Sequence, residues 1–133
     1  MKICVSAAAA DSLDAPIDPR FGRCPYFVIV DSETMQFEAI QNMASGGMSG
    51  AGIQAAQTIA SRNAKVLITG NVGPNAFQAL SAAGIKIVTG AFGTVREVVE
   101  KYKKGELRET GSPTVEDHFG VGMGRGRRWG QKR

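Results

Sequence analysis

At 133 residues, with 43% hydrophobic and 21% charged side chains, the chain has the make-up of one soluble domain able to bury its own core. Its formal charge of +4 is uneven: residues 1–120 hold 11 Lys and Arg against 12 Asp and Glu, whereas residues 121–133 hold only cations. No run of about 18 apolar residues is present, which argues against a transmembrane helix, and two cysteines make no disulfide framework, so a reduced, cytoplasmic setting is expected.

Lys2–Ala8 reads as a buried strand led by β-branched Ile3 and Val5. The same start imitates a signal peptide, but its apolar stretch is short and carries Ser6, so the strand is preferred. Asp11–Cys24 is a polar loop with Pro16 and Pro19. Tyr26–Val30 is a strand, Asp31–Thr34 a turn, and Met35–Gln41 alternates like a half-buried strand, so the two runs form an antiparallel hairpin. The glycine-rich link Ser45–Gly52 opens a helix with Ile53, Ala56, Ile59 and Ala60 at helical spacing. Lys65–Thr69 is a strand. Pro74 suits a first helical position, Ala76, Phe77, Leu80 and Ala83 line one face, and Gly84 ends that helix. Ile85–Thr89 is a further strand. Thr94 and Glu97 make a capping box before Val95, Val98, Val99 and Tyr102, and Gly105 closes the third helix.

The order β-β-β-α-β-α-β-α predicts an α/β fold, a mixed sheet with helices on both faces. The domain spans residues 1–109, and 110–133 is expected to be a flexible Gly/Arg-rich tail.

Chemistry concentrates in loops. Asp18-Pro19-Arg20-Phe21-Gly22-Arg23-Cys24 offers two fork-like cations and a thiol. Cys24 could ligate a soft metal as thiolate, which a neighbouring arginine would favour. Three segments lead from strand to helix: Ser45–Gly52, Gly70–Asn75 and Gly90–Thr94. The last two follow parallel strands and share one sheet edge, where helix N-termini and glycine suit an anion. The alternative is that glycines only shape the turns. No Walker or Rossmann fingerprint is present, and no Cys-x-x-Cys pair makes a self-contained zinc or iron–sulfur site. His118, the only histidine, could reach over a bound metal or simply face solvent. The same holds for Met43 and Met48, which fill loop or core more readily than they ligate. The basic tail with Trp129 could touch RNA, but a solubilising role is the plainer account. A lone tail histidine makes no catalytic triad, and the first strand carries no acid for a metal-dependent nuclease.

Several motifs together resemble the dinitrogenase iron–molybdenum cofactor biosynthesis accessory family, the NifX and NafY type that also forms the C-terminal part of NifB. They are Met1-Lys2-Ile3, Arg20-Phe21-Gly22-Arg23-Cys24-Pro25-Tyr26-Phe27, the run Thr69–Leu80, Ala83–Ile87 and Gly93-Thr94-Val95-Arg96-Glu97. The resemblance covers residues 1 to about 108 and implies a ribonuclease-H-like three-layer α/β/α fold with a mixed five-stranded sheet. It implies a non-catalytic protein that binds or carries an iron–sulfur or molybdenum–iron–sulfur cluster, with a cluster donor or acceptor protein as partner. Relatives include stand-alone proteins carrying other molybdenum- or copper-containing sulfide clusters. Members with a demonstrated cofactor role tend to carry a ligand histidine in a His-Phe-Gly motif where this chain has Arg20-Phe21-Gly22. Binding here would rest on Cys24, on His118, or on charge.

The expected cofactor-binding set is Arg20, Phe21, Gly22, Arg23, Gly70, Asn71, Gly73, Asn75, Gly93 and Thr94, with Cys24 and His118 as metal ligands. No membrane or nucleic-acid partner is expected. The competing readings are a binding module for a small phosphorylated or anionic metabolite at the same edge, and a protein that contacts nucleic acid through the basic tail.

Overall fold

The computed structural model describes residues 1–43 and 50–115. Five strands and three helices follow in the expected order: β1 (Lys2–Ala7), β2 (Tyr26–Asp31), β3 (Phe37–Gln41), α1 (Ala51–Ser61), β4 (Val66–Ile68), α2 (Pro74–Ala82), β5 (Lys86–Val88) and α3 (Val95–Lys103). The sheet order is β3-β2-β1-β4-β5. The β1–β2 and β2–β3 pairs are antiparallel, whereas β1–β4 and β4–β5 are parallel. This is the mixed five-stranded sheet of a three-layer α/β/α fold.

Strand alternation assigns the two faces. Cys4, Phe27, Ile29, Leu67 and Ile87 pack against Ala55, Ala56 and Ile59 of α1 and Ala76 and Leu80 of α2. Ile3, Val5, Val28, Val30, Ile68 and Val88 pack against Val95, Val98 and Val99 of α3. Cys4 is a buried small hydrophobe, as its apolar run predicts.

Local signals set the ends. Pro74 begins α2 where a missing N–H is harmless, and Gly105 follows α3 in the left-handed region. Thr94 and Glu97 close the capping box reciprocally.

Some expectations give way. Ile53 was expected on the buried face of α1 but is 37% exposed; Ala51, Ala55, Ala56 and Ile59 make that face. The reason is proximity. A Cβ on Gly52 would lie 2.8 Å from the Ala76 Cβ, so α1 approaches α2 through its small residues and Ile53 is turned away. Ala83 is the exposed C-cap of α2 instead of a face residue. β3 begins later than expected, because Met35 has a positive φ of 62° in the preceding turn, and it is a largely exposed edge strand. Thr110 and Thr114, at the start of the expected tail, are hydrogen-bonded onto the body. The rest of the expected tail, 116–133, lies outside the described residues.

Candidate functional site

β1, β4 and β5 run parallel, so the segments that follow them meet at one edge of the sheet. The loop after β1 is stitched to the other two by backbone pairs. Asn71 N donates to Pro19 O at 2.8 Å, Phe21 N to Asn71 O at 3.4 Å, and Ile17 N to Gly93 O at 2.9 Å. A Cβ on Gly70 would sit 2.6 Å from the Pro19 Cβ, so only glycine lets the post-β4 segment lie against this loop.

Buried polar side chains hold the loop from beneath. The Ser6 hydroxyl donates to Asp18 O at 2.6 Å and meets the Thr69 hydroxyl at 2.7 Å. Asn42 Nδ2 donates to Cys24 O at 2.8 Å and to Gly22 O at 3.2 Å. Phe21, 2% exposed, reaches the α1–α2 core and meets Phe27 at a ring separation of 5.4 Å. A stretch that reads as polar loop is thus pinned at both ends and in the middle. Between Asp18 and Cys24, Pro19 is exposed and Arg20, Gly22 and Arg23 are partly exposed.

The charges there differ from the sequence expectation. Arg20 forks onto Asp18, with Nε 3.1 Å from Oδ1 and Nη2 2.9 Å from Oδ2, and the Arg20 backbone N also donates to Oδ1 at 2.9 Å. Asp18 is buried, and this bond holds Arg20 above its ordinary range. The positive charge of Arg20 is therefore largely balanced inside the loop.

Cys24 is fully buried, and its thiol donates to Phe21 O at 3.2 Å. Burial pushes its pKa up to about 12, with the Asp18 carboxylate adding to the effect. The expected arginine-favoured thiolate is corrected on both counts: Arg20 faces Asp18, and the thiol stays protonated at neutral pH. Among the described residues no group of three or more His, Cys, Asp or Glu could hold a metal ion.

The three helix N-termini divide into two kinds. At α3 every first-turn donor is engaged within the chain. Thr94 N donates to Glu97 Oε1 and Glu97 N to Thr94 Oγ1, while Val95 N and Arg96 N donate to Ala15 O and Leu13 O at 3.0 and 2.8 Å. Thr94, expected to offer a backbone donor to a ligand, has none to offer, and the Gly93 carbonyl is engaged by Ile17. The N-caps of α1 and α2, Gly50 and Gly73, have no side-chain cap bond. These two termini lie together: Gly52 abuts Ala76, and a Cβ on Gly22 would lie 3.2 Å from Gly52 N. Two helix starts whose glycine N-caps make no side-chain cap bond among the described residues share one rim with the Gly22–Arg23 backbone, a setting that favours negative charge.

The family model for the dinitrogenase iron–molybdenum cofactor matches residues 1–105. The chain belongs to this family. Membership associates it with iron–molybdenum cofactor biosynthesis or binding. An uncharacterized protein of Methanocaldococcus jannaschii is 31% identical over 96 residues, covering 70% of this chain and 81% of the relative. The apo form of the orange protein from Desulfovibrio gigas superposes with a TM-score of 0.82 at 46% identity, over 86% of this chain and 96% of that one. A candidate NifB protein from Thermotoga, solved by NMR, gives a TM-score of 0.75 at 32% identity, over 86% and 97% of the two chains.

Within this member of the iron–molybdenum cofactor family, the structure gathers Arg20, Phe21, Gly22, Arg23, Gly70, Asn71, Gly73 and Asn75 at one edge. Phe21 serves it as a core anchor and Gly70 as a contact point for Pro19. Gly93 and Thr94 belong to the closed α3 corner beside it. His118 lies outside the described residues. Sequence reasoning missed Asp18, Asn42, Ser6 and Thr69 as the side chains that fix the loop. Asp18 had a local signal, its placement two residues before Arg20; the other three act across distances no local pattern reveals.

Proposed function

We propose that the protein binds and carries an anionic metal–sulfur cluster, of iron–sulfur or molybdenum–iron–sulfur type, for cofactor assembly or delivery, and catalyses no reaction. The observation that carries this is the meeting of the α1 and α2 N-termini, whose glycine N-caps make no side-chain cap bond among the described residues, beside Gly22. Such a cluster is negatively charged and its sulfides accept hydrogen bonds, so backbone N–H groups and a guanidinium suit it. Arg23, Gly22, Gly73 and Asn75 would form the first contact, with Arg20 held at the rim by Asp18 and Asn71 supporting it from behind. The buried thiol of Cys24 does not fit a metal ligand in this conformation. The cluster is thus read as cargo held by charge and hydrogen bonds, with His118 as a candidate for a protein–metal bond. The family match and the similarity to the orange protein support this reading. A donor or acceptor of the cluster is the partner it implies.

The test is anaerobic reconstitution with iron, sulfide and molybdate, followed by desalting and metal analysis. Wild type and Cys24→Ser are expected to retain metal and chromophore alike, while Arg23→Glu retains much less. A wild-type chain that emerges colourless and metal-free overturns the reading. If a nucleotide instead raises Tm without any metal, the anionic-metabolite module takes its place.

A further inference from the structure

The two edges of the sheet end differently. At β5, Thr110 N donates to Ile87 O at 2.6 Å and Thr89 N to the Thr110 hydroxyl at 3.0 Å, so the segment after α3 covers that edge. At the other edge, β3 pairs with β2 alone, and no described residue lies along its outer side in this way.

The register fixes which backbone groups of β3 face outward. Asn42 N donates to Pro25 O and Asp31 N to Gln36 O, both at 2.9 Å. The pairs Phe27–Ile40 and Ile29–Glu38 fall between them at every second position. Hydrogen-bonded and non-hydrogen-bonded pairs alternate along an antiparallel ladder, so Ile40 and Glu38 direct their N–H and C=O to β2. Phe37, Ala39 and Gln41 direct theirs outward, and no hydrogen bond among the described residues engages them. Exposed edges are commonly blunted by lysine, proline or a bulge. Phe37–Gln41 has none of these, and its register with β2 is unbroken. Its one charged side chain, Glu38, is matched by Arg62 of the same chain. Phe37 is 41% exposed.

The strand is complementary to itself. Laid antiparallel about a two-fold axis through Ala39, Phe37 stands opposite Gln41 of a second copy and Ala39 opposite its own equivalent. The outward donors of each copy then meet outward acceptors of the other. Glu38 falls opposite Ile40, so no like charges face each other. Ala39, at the axis, is exposed and small enough for close approach. Because β1–β2 and β2–β3 are both antiparallel, β3 points with β1 towards the candidate site. Antiparallel joining therefore sets the two sites at opposite ends of the shared sheet and covers neither.

We propose that β3 is the interface of a homodimer, in which two copies join edge to edge through Phe37, Ala39 and Gln41 and their sheets become one. The proposal is independent of what the site carries. One short strand from each copy makes a small interface, so the dimer is weak, with a Kd on the order of 100 µM.

Sedimentation velocity on the full-length protein at about 10 µM and about 1 mM, on either side of that Kd, compares wild type with Ala39→Pro and Ala39→Lys. Proline removes a donor that faces outward and none that serves β2. Lysine leaves the backbone intact and brings two like charges together at the axis. Wild type is expected to pass from monomer to mainly dimer, and both variants to show a Kd raised at least about tenfold. The Tm of Ala39→Lys at about 10 µM should stay within about 3 °C of wild type, so that weaker pairing is not loss of fold. Amide exchange locates the contact: the Ala39 amide should slow several-fold between the two concentrations, while those of Glu38 and Ile40 stay as they are. A wild type that remains monomeric at about 1 mM overturns the proposal. A dimer that persists unweakened in Ala39→Lys, or in which the Ala39 amide exchanges as fast as in the monomer, overturns it too.

Discussion

Phe21 sits in the middle of the proposed rim, yet its ring belongs to the core, and Phe21→Ala tests that division. The side chain is 2% exposed, joins the cluster between the sheet and the α1–α2 layer, and tilts against Phe27 at 5.4 Å. Removing a buried phenyl ring costs about 3–5 kcal/mol, transfer and cavity together. The lost ring pair makes up roughly 0.5–1.5 kcal/mol of this. For a body of this size the expected fall in Tm is roughly 10–20 °C. Thermal unfolding followed by circular dichroism measures it, and urea titration should show a lower midpoint with an unchanged slope. Phe21→Leu, which keeps most of the apolar volume, should lose less than half as much. A loss below about 1 kcal/mol for Phe21→Ala would refute the reasoning, because it would mean that the loop lies on the surface and its phenylalanine anchors nothing.

Cys24 links the same loop to pH. Its folded pKa of about 12 stands above the ordinary 9.0, so the fold favours the neutral thiol. That contribution is complete below about pH 9 and is lost as pH rises from there towards 12, with an upper limit of roughly 4 kcal/mol. Urea midpoints at about pH 8 and about pH 10.5 should differ less in Cys24→Ala than in wild type; an identical fall in both would contradict the assignment. Gly70→Ala should destabilise by about 1–3 kcal/mol, because its methyl group would meet the Pro19 backbone. A Tm within about 1 °C of wild type would show that the post-β4 segment has room that the structure denies it.

The hairpin, the βα units, the starts of α2 and α3 and the glycines that close them were legible because each rests on local chemistry. Alternating apolar residues mark the strands, Pro74 and Gly84 punctuate α2, and Thr94 with Glu97 opens α3. The buried face of α1 was not legible. Ile53 outranks Ala51 and Ala55 in hydrophobicity, but the approach of Gly52 to Ala76 selects small residues, and that approach exists only in three dimensions. The site was half legible. Its place at the shared edge of parallel strands follows from topology, and Gly22, Arg23 and Gly73 were named from sequence. That Arg20 would be balanced by Asp18, and Cys24 sealed as a thiol, depends on Ser6, Thr69 and Asn42 drawing the loop down onto the sheet. The docking of Thr110 and Thr114 was hidden for the same reason: their partners, Thr89 and Val72, are distant in the chain.

The closed corner at α3 bears on how such an edge could be remodelled. The carbonyl oxygens of Leu13 and Ala15 sit on its first turn where, at α1 and α2, an anion would sit. The chain thus places its own carbonyl oxygens on the helix start that lies on the opposite face of the sheet. Grafting a shorter loop in place of residues 11–17 would remove that plug and bare the Val95 and Arg96 amides. The proposed anion site would then have a counterpart, lying back to back with it across a single sheet.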